Sequence, residues 1–151
     1  MRRTRLRVIT SRDRLPLTCV GVAVRKVNRR RPLRRARITP PPGVDVTELA
    51  EKATYVLSRE HKDYFTEAGP GSLRSDATPC PRDVTRELAE AWLRVAIAAG
   101  HVGAPWSDQP FPQYAWYRTA GVVYEARLSN SELGTYKGYP LDESEWPAWL
   151  P

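Results

Sequence analysis

The spacing of the apolar side chains changes near Gly100, and this change limits the possible folds more than any other feature of the chain. Residues 83–99 place apolar side chains every three or four positions, which is typical of an amphipathic helix packed on a core. Residues 113–139 largely alternate between two faces instead, which is typical of β-strands. A run of helices followed by a run of strands indicates the α+β class.

Two helices are predicted before the strands. The first covers about residues 46–58, with Asp45 as its N-terminal cap and Glu48 as the partner in a capping box. The second covers residues 84–99 and ends before Gly100, which suits the left-handed position that follows many helices. This second helix is expected to bury one stripe of side chains: Val84, Leu88, Trp92, Val95 and Ala99.

Three strands are predicted after the helices, at residues 113–119, 122–129 and 135–139. Short turns separate them, so they are expected to form an antiparallel meander with one apolar face on the second helix. The segment of residues 142–151, with Trp146 and Trp149, is predicted to form a short helical turn on the sheet. The predicted fold is therefore two amphipathic helices followed by a three-stranded antiparallel meander, with a basic N-terminal arm.

The positive charge of the chain lies almost entirely in that N-terminal arm. Residues 1–39 contain 14 Lys or Arg and one acid, for a net charge of +13, whereas residues 40–151 carry a net charge of −6. Three consecutive prolines before Gly43 exclude a helix there and mark a boundary. The predicted organisation is an Arg-rich arm, residues 1–39, and a single α+β domain, residues 40–151.

Three interpretations of the arm remain open. It binds a polyanion, it docks on its own acidic domain, or it is a disordered or mis-assigned start that precedes a true start near Val44 or Val46. The apolar run at residues 17–24 is short for a secretory leader or a membrane span. We therefore expect a cytoplasmic protein that does not enter a membrane and keeps its two cysteines reduced.

The segment between the two predicted helices holds the candidate catalytic residues. His61 is the predicted general base, because histidine titrates near neutral pH. Arg74 would hold a phosphate, Asp76 would orient His61, and Tyr64 would donate a hydrogen bond. These residue types suit a metal-independent ribonuclease. The competing interpretation is that His61 and Lys62 cap the C-terminal end of the first helix.

Four side chains are predicted to contact nucleic acid: Lys62, Tyr117, Arg127 and Lys137. Aromatic side chains beside cations on a sheet can stack on bases and hold phosphates. Three of the four lie on predicted strands, where one face of the sheet has no helix to cover it. The alternative is that the strand aromatics belong to the core, because Tyr and Trp favour strands.

No metal or cofactor is expected from the sequence. The two histidines and two cysteines, at positions 19, 61, 80 and 101, lack the close spacing of zinc ligands. The chain has no phosphate-binding glycine loop and no dinucleotide-binding motif. Cys80, which lies between two prolines, is expected to be a small buried thiol rather than a nucleophile.

Three functions are compatible with the sequence, which does not decide whether the protein is an enzyme. The leading hypothesis is a small non-catalytic binding module whose partner is nucleic acid, RNA in particular, or another protein. The first alternative is a toxin-like metal-independent endoribonuclease that uses His61. The second alternative is an inhibitory partner of the antitoxin or immunity type, since an acidic domain suits a basic target.

Overall fold

The computed structural model of the protein describes residues 35–75 and 77–151. The larger part of the predicted arm, residues 1–34, therefore lies outside the described residues. Two α-helices occur in the described part, α1 (Val46–Lys52) and α2 (Arg86–Ala98). Neither is long and apolar enough to cross a lipid bilayer. Two short 3-10 helices are present as well, Arg59–His61 and Glu143–Glu145.

Five strands form one mixed sheet. They are β1 (Thr54–Tyr55), β2 (Val102–Gly103), β3 (Tyr114–Thr119), β4 (Val122–Asn130) and β5 (Thr135–Pro140). Their order across the sheet is β1-β5-β4-β3-β2. β1 runs parallel to β5, and every other neighbouring pair is antiparallel. The predicted three-stranded antiparallel meander after two helices is therefore wrong.

The two strands that the prediction missed are each only two residues long. A two-residue strand cannot show the alternation that a sequence pattern needs. β1 exists because the Thr54 and Val56 amides donate to the carbonyl oxygens of Gly134 and Tyr136 at 3.0 and 2.9 Å. For the same reason α1 ends at Lys52 rather than near residue 58. Asp45 does cap α1, since its carboxylate accepts from the Thr47 amide at 2.8 Å.

Helix α2 covers one face of the sheet, but it is rotated from the predicted orientation. The Thr85 side chain caps its start at 3.2 Å from the Leu88 amide, and Gly100 follows its end with a φ of +67°. The buried residues of α2 are Ala89, Leu93, Ala96 and Ile97. Leu88 and Val95, which were expected in the core, are exposed. Small alanines on the buried side let the helix lie close to the sheet.

The C-terminal segment covers part of the opposite face of the sheet. Residues 141–150 follow β5 and pack on this face around Trp116, which is fully buried. This second apolar cluster also contains Tyr114, Val123, Leu141 and Leu150. The predicted C-terminal turn is present within residues 142–151, as the 3-10 helix Glu143–Glu145. The sheet therefore has a core on both faces, which the sequence analysis did not anticipate.

A buried carboxylate lies at the centre of this second cluster. Glu125 on β4 is 3% exposed, and its Oε2 accepts from the Arg35 Nε at 2.8 Å and from the Trp116 Nε1 at 2.9 Å. Its Oε1 accepts from the Tyr139 hydroxyl. Arg35, which is 6% exposed, also pairs with Glu145 at 3.5 Å. This network ties residues 35–38, the sheet and the C-terminal turn together.

Removal of the Arg35 charge should destabilise the protein strongly. We expect Arg35→Met to lower the free energy of unfolding by about 3–5 kcal/mol, because Glu125 stays buried without its cation. Urea unfolding of the full-length protein measures this change. The double variant Arg35→Met/Glu125→Gln should recover part of the loss, since the buried charge is then gone.

The matched control is Lys52→Met, which breaks the exposed Lys52–Glu48 pair. Its cost should be no more than about 0.5 kcal/mol. Equal losses for the two single variants would show that the buried pair contributes no more than a surface pair.

Candidate functional site

The uncovered end of the second sheet face forms a cleft of about 410 Å³. One wall is the segment that follows β1, residues 58–75 and 77–81, which we call the cleft loop. The other wall is formed by β4 and β5. The charged and aromatic side chains that line the cleft are Glu60, His61, Arg74, Arg127, Lys137 and Tyr139. Four of the eight residues that the sequence analysis selected therefore lie around one cavity.

Backbone hydrogen bonds hold the cleft loop against itself. The Ser72 and Arg74 amides donate to the carbonyl oxygens of Arg59 and Glu60 at 2.9 and 3.0 Å. The Cys80 amide donates to the His61 carbonyl oxygen at 2.7 Å. The loop turns back at Gly69, whose φ of +106° favours glycine. These bonds place His61 and Arg74 on neighbouring parts of one folded loop.

Two cations stand directly opposite each other in the sheet. Arg127 of β4 and Lys137 of β5 are register partners, and both side chains are exposed. Within residues 35–75 and 77–151, neither has an ion-pair partner within 4.0 Å. Like charges at opposite positions destabilise a sheet. A bound anion between them would relieve that repulsion.

Tyr139 joins His61 to the buried network. The rings of His61 and Tyr139 stack with their centroids 4.9 Å apart and their planes 29° apart. The Tyr139 hydroxyl donates to Glu125 beneath the cleft. On the same loop wall of the cavity as His61, Arg74 lies 3.6 Å from Glu60 in an exposed ion pair. The described residues of the cleft thus combine an imidazole, three cations, one carboxylate and an anchored tyrosine.

Three of the predicted site residues lie outside the cleft lining. The Lys62 side chain is 4% exposed, and its Nζ donates to the Tyr64 hydroxyl at 3.0 Å. Tyr64 in turn donates to the Pro81 carbonyl oxygen at 3.0 Å. Tyr117 lies on the opposite sheet face and stacks on Trp92 at 5.6 Å. Packing inside the protein therefore accounts for all three side chains.

Asp76, the predicted partner of His61, lies outside the described residues. The competing interpretation of His61 and Lys62 as caps of the first helix is wrong, because α1 already ends at Lys52. His61 belongs instead to the 3-10 helix of the cleft loop. That helix presents consecutive residues, Glu60 and His61, to the same cavity.

Among the charged and aromatic residues of the cleft lining, Tyr139 and Glu60 are those that the site prediction missed. Tyr139 is two positions after Lys137 on β5, so strand alternation places both on one face. That signal was present in the sequence. The position of Glu60 had no such signal, because the path of the cleft loop depends on its cross-loop hydrogen bonds.

Cys80 lies away from the cleft lining, beside a small apolar cavity between α2 and the sheet. This cavity of about 30 Å³ is lined by Cys80, Trp92, Leu93 and Tyr124, among others. Burial raises the pKa of the Cys80 thiol above its ordinary value, although Lys62 opposes the change. The thiol therefore stays protonated at neutral pH. No group of three or more metal-ligating side chains occurs in the described part of the chain.

Cys80 should react slowly with alkylating reagents in the folded protein. Only the thiolate reacts, so burial and the raised pKa should slow iodoacetamide by at least about tenfold relative to the protein in urea. Mass spectrometry of a Cys19→Ser variant measures the rate at Cys80 alone. Equal rates with and without urea would contradict the buried, protonated thiol.

Comparisons with protein-family models, curated proteins and solved structures found no match. The cleft itself is therefore the basis on which a function can be proposed.

Proposed function

We propose that the protein binds single-stranded RNA through its phosphates in this cleft. The observation that carries the proposal is the pair Arg127 and Lys137, two exposed cations in direct register without a carboxylate partner among the described residues. Arg74 and His61 line the same cavity. Phosphate oxygens of a nucleic acid backbone suit such a group of donors.

The shape of the cleft favours a single strand over a duplex. It is a bounded cavity between a loop and a sheet, not a broad flat surface. Single strands bind in positively charged grooves that follow the backbone, and aromatic side chains can stack on their bases. Tyr139 is the aromatic residue in the lining, although one face of its ring already contacts His61. The phosphate contacts therefore supply most of the expected affinity.

The basic arm would add affinity that depends on salt. Its 14 Lys and Arg can neutralise phosphates without recognising the base sequence.

The inhibitory-partner hypothesis relies on the net charge of −6 for residues 40–151. Among the described residues, the cleft lining has three cations and one carboxylate, so its charge is opposite to that of the domain as a whole and favours an anionic ligand.

RNA binding should weaken when the two opposed cations are removed. We expect Arg127→Gln/Lys137→Gln to lower the affinity for a short single-stranded RNA. The slope of log K against log salt should decrease by roughly 1.4, at about 0.7 for each phosphate that is no longer neutralised. Fluorescence anisotropy on the full chain at several salt concentrations measures both quantities.

A matched control removes the same charge elsewhere. Lys52→Gln/Arg86→Gln neutralises two exposed cations outside the cleft lining, and the arm is identical in both proteins. The control should change the salt slope little. If the two double variants behave alike, the cleft cations do not contact phosphate and the proposal fails.

A second candidate function is metal-independent cleavage of RNA. The observation that favours it is the presence of His61 and Glu60 together with the three cations in one cavity. An imidazole and a carboxylate can both transfer protons, while cations stabilise the charge that develops on phosphorus oxygens. Tyr64, the donor predicted from the sequence, does not line the cleft.

The reaction would proceed by attack of the ribose 2′-oxygen. One group removes the 2′-hydroxyl proton, the O2′–P bond forms, and the P–O5′ bond breaks. The second group protonates the departing 5′-oxygen, which gives a 2′,3′-cyclic phosphate and a free 5′-hydroxyl. No oxidant, reductant or metal is consumed in this step. His61 and Glu60 are the candidates for the two proton transfers.

Cleavage by this mechanism should persist in EDTA and depend on His61. We expect His61→Ala to reduce the rate by at least about a hundredfold, because general acid–base groups contribute that much or more. His101→Ala is the matched control, since His101 lies outside the cleft lining. Gel analysis of a labelled RNA measures both rates. Absence of cleavage by the parent protein in EDTA would remove this candidate and leave the binding proposal standing.

A further inference from the structure

We propose that Tyr139 is a positioning residue that holds the His61 imidazole in the cleft and is itself held by Glu125. The role in ligand binding rests on the proposed function, whereas the positioning of the ring can be tested without RNA. Tyr139 was not among the site residues predicted from the sequence. The three side chains form a continuous series of contacts from the cleft to the buried network.

The first contact is the stack of His61 on Tyr139. The centroid distance of 4.9 Å and the interplanar angle of 29° are those of stacked aromatic rings. His61 comes at the end of a 3-10 helix in a loop, where a side chain is expected to have more freedom than on a strand. The stack restricts this freedom and holds the plane of the imidazole.

The second contact fixes Tyr139. Its hydroxyl donates to Glu125 Oε1, while Oε2 of the same carboxylate accepts from Arg35 and Trp116. Glu125 is buried on the central strand β4, so it cannot follow a movement of Tyr139. A tyrosine anchored at its hydroxyl end presents a fixed ring surface to His61.

The functional consequence is preorganisation of the cleft. A side chain that already has its binding orientation loses less conformational freedom when a ligand binds. Arg127 and Lys137, the proposed hydrogen-bond donors to phosphate, lie on the same two strands as Glu125 and Tyr139. The His61 ring is therefore held at a set position relative to the two cations.

The test compares two Tyr139 variants with a control on the opposite sheet face. Tyr139→Leu removes the ring and the hydroxyl, and Tyr139→Phe removes only the hydroxyl. The control is Tyr124→Leu, because the Tyr124 ring contacts Trp92 in the other cluster, with the centroids 4.9 Å apart, and does not line the cleft. Thermal unfolding of each variant shows whether Tyr139→Leu and the control Tyr124→Leu lose similar stability. NMR of the His61 ring protons in the full chain reads the stacking directly.

We expect the His61 ring protons to move downfield in Tyr139→Leu, because the ring current of Tyr139 is removed, and to stay in place in Tyr124→Leu. Tyr139→Phe should give an intermediate shift. Affinity for a short single-stranded RNA should fall about tenfold in Tyr139→Leu, as expected for loss of one well-placed hydrogen bond to a charged group.

The outcomes separate the two proposals. Unchanged His61 resonances in Tyr139→Leu, or equal changes in Tyr124→Leu, would overturn the positioning role. A Tyr139→Phe protein identical to the parent in both measurements would overturn the part played by Glu125. Failure of the parent protein to bind RNA would overturn the proposed function alone, because the resonances are recorded without RNA.

Discussion

The buried carboxylate of Glu125 is the interaction on which the rest of the structure depends. An ionised group in a protein interior is costly unless it is paired and hydrogen-bonded. Here the donors come from three distant parts of the chain: Arg35, Trp116 and Tyr139. Satisfying this one group therefore fixes where the segment before the domain, the middle of the sheet and the last strand lie. Arg35 also reaches Glu145, so the C-terminal turn is included.

This network separates two regions of the second sheet face, one packed with apolar side chains and one that lines the cleft. The C-terminal segment covers one region with apolar side chains around Trp116. The other region forms the cleft between the cleft loop and β4–β5, and it holds Arg127 and Lys137, which have no ion-pair partner within the described part of the chain. Such a conflict with local stability is expected at functional positions, where sequence rules for folding are broken for another purpose. Tyr139 lies at the border and belongs to both regions.

The candidate site was only partly predictable from the sequence. Strand alternation correctly assigns Arg127 and Lys137 to one face, because the period of a strand is strictly two. The strand register places Tyr117 on the opposite face of the sheet, where it packs under α2. Lys62 follows His61 directly, yet it is buried. The cross-strand register and the path of an irregular loop decide these differences, and neither has a local signal in the sequence.

The sequence by itself determined the elements whose signals are local and long. Helix α2, the cap at Asp45 and the alternation along β4 follow from side-chain spacing and from hydrogen bonds between near neighbours. Only the tertiary structure decided the two-residue strands β1 and β2, the rotation of α2 and the burial of Glu125. The physical reason is that a short strand forms when a distant strand offers its backbone groups. In the same way, a buried charge is tolerated only when donors from distant parts of the chain form hydrogen bonds with it.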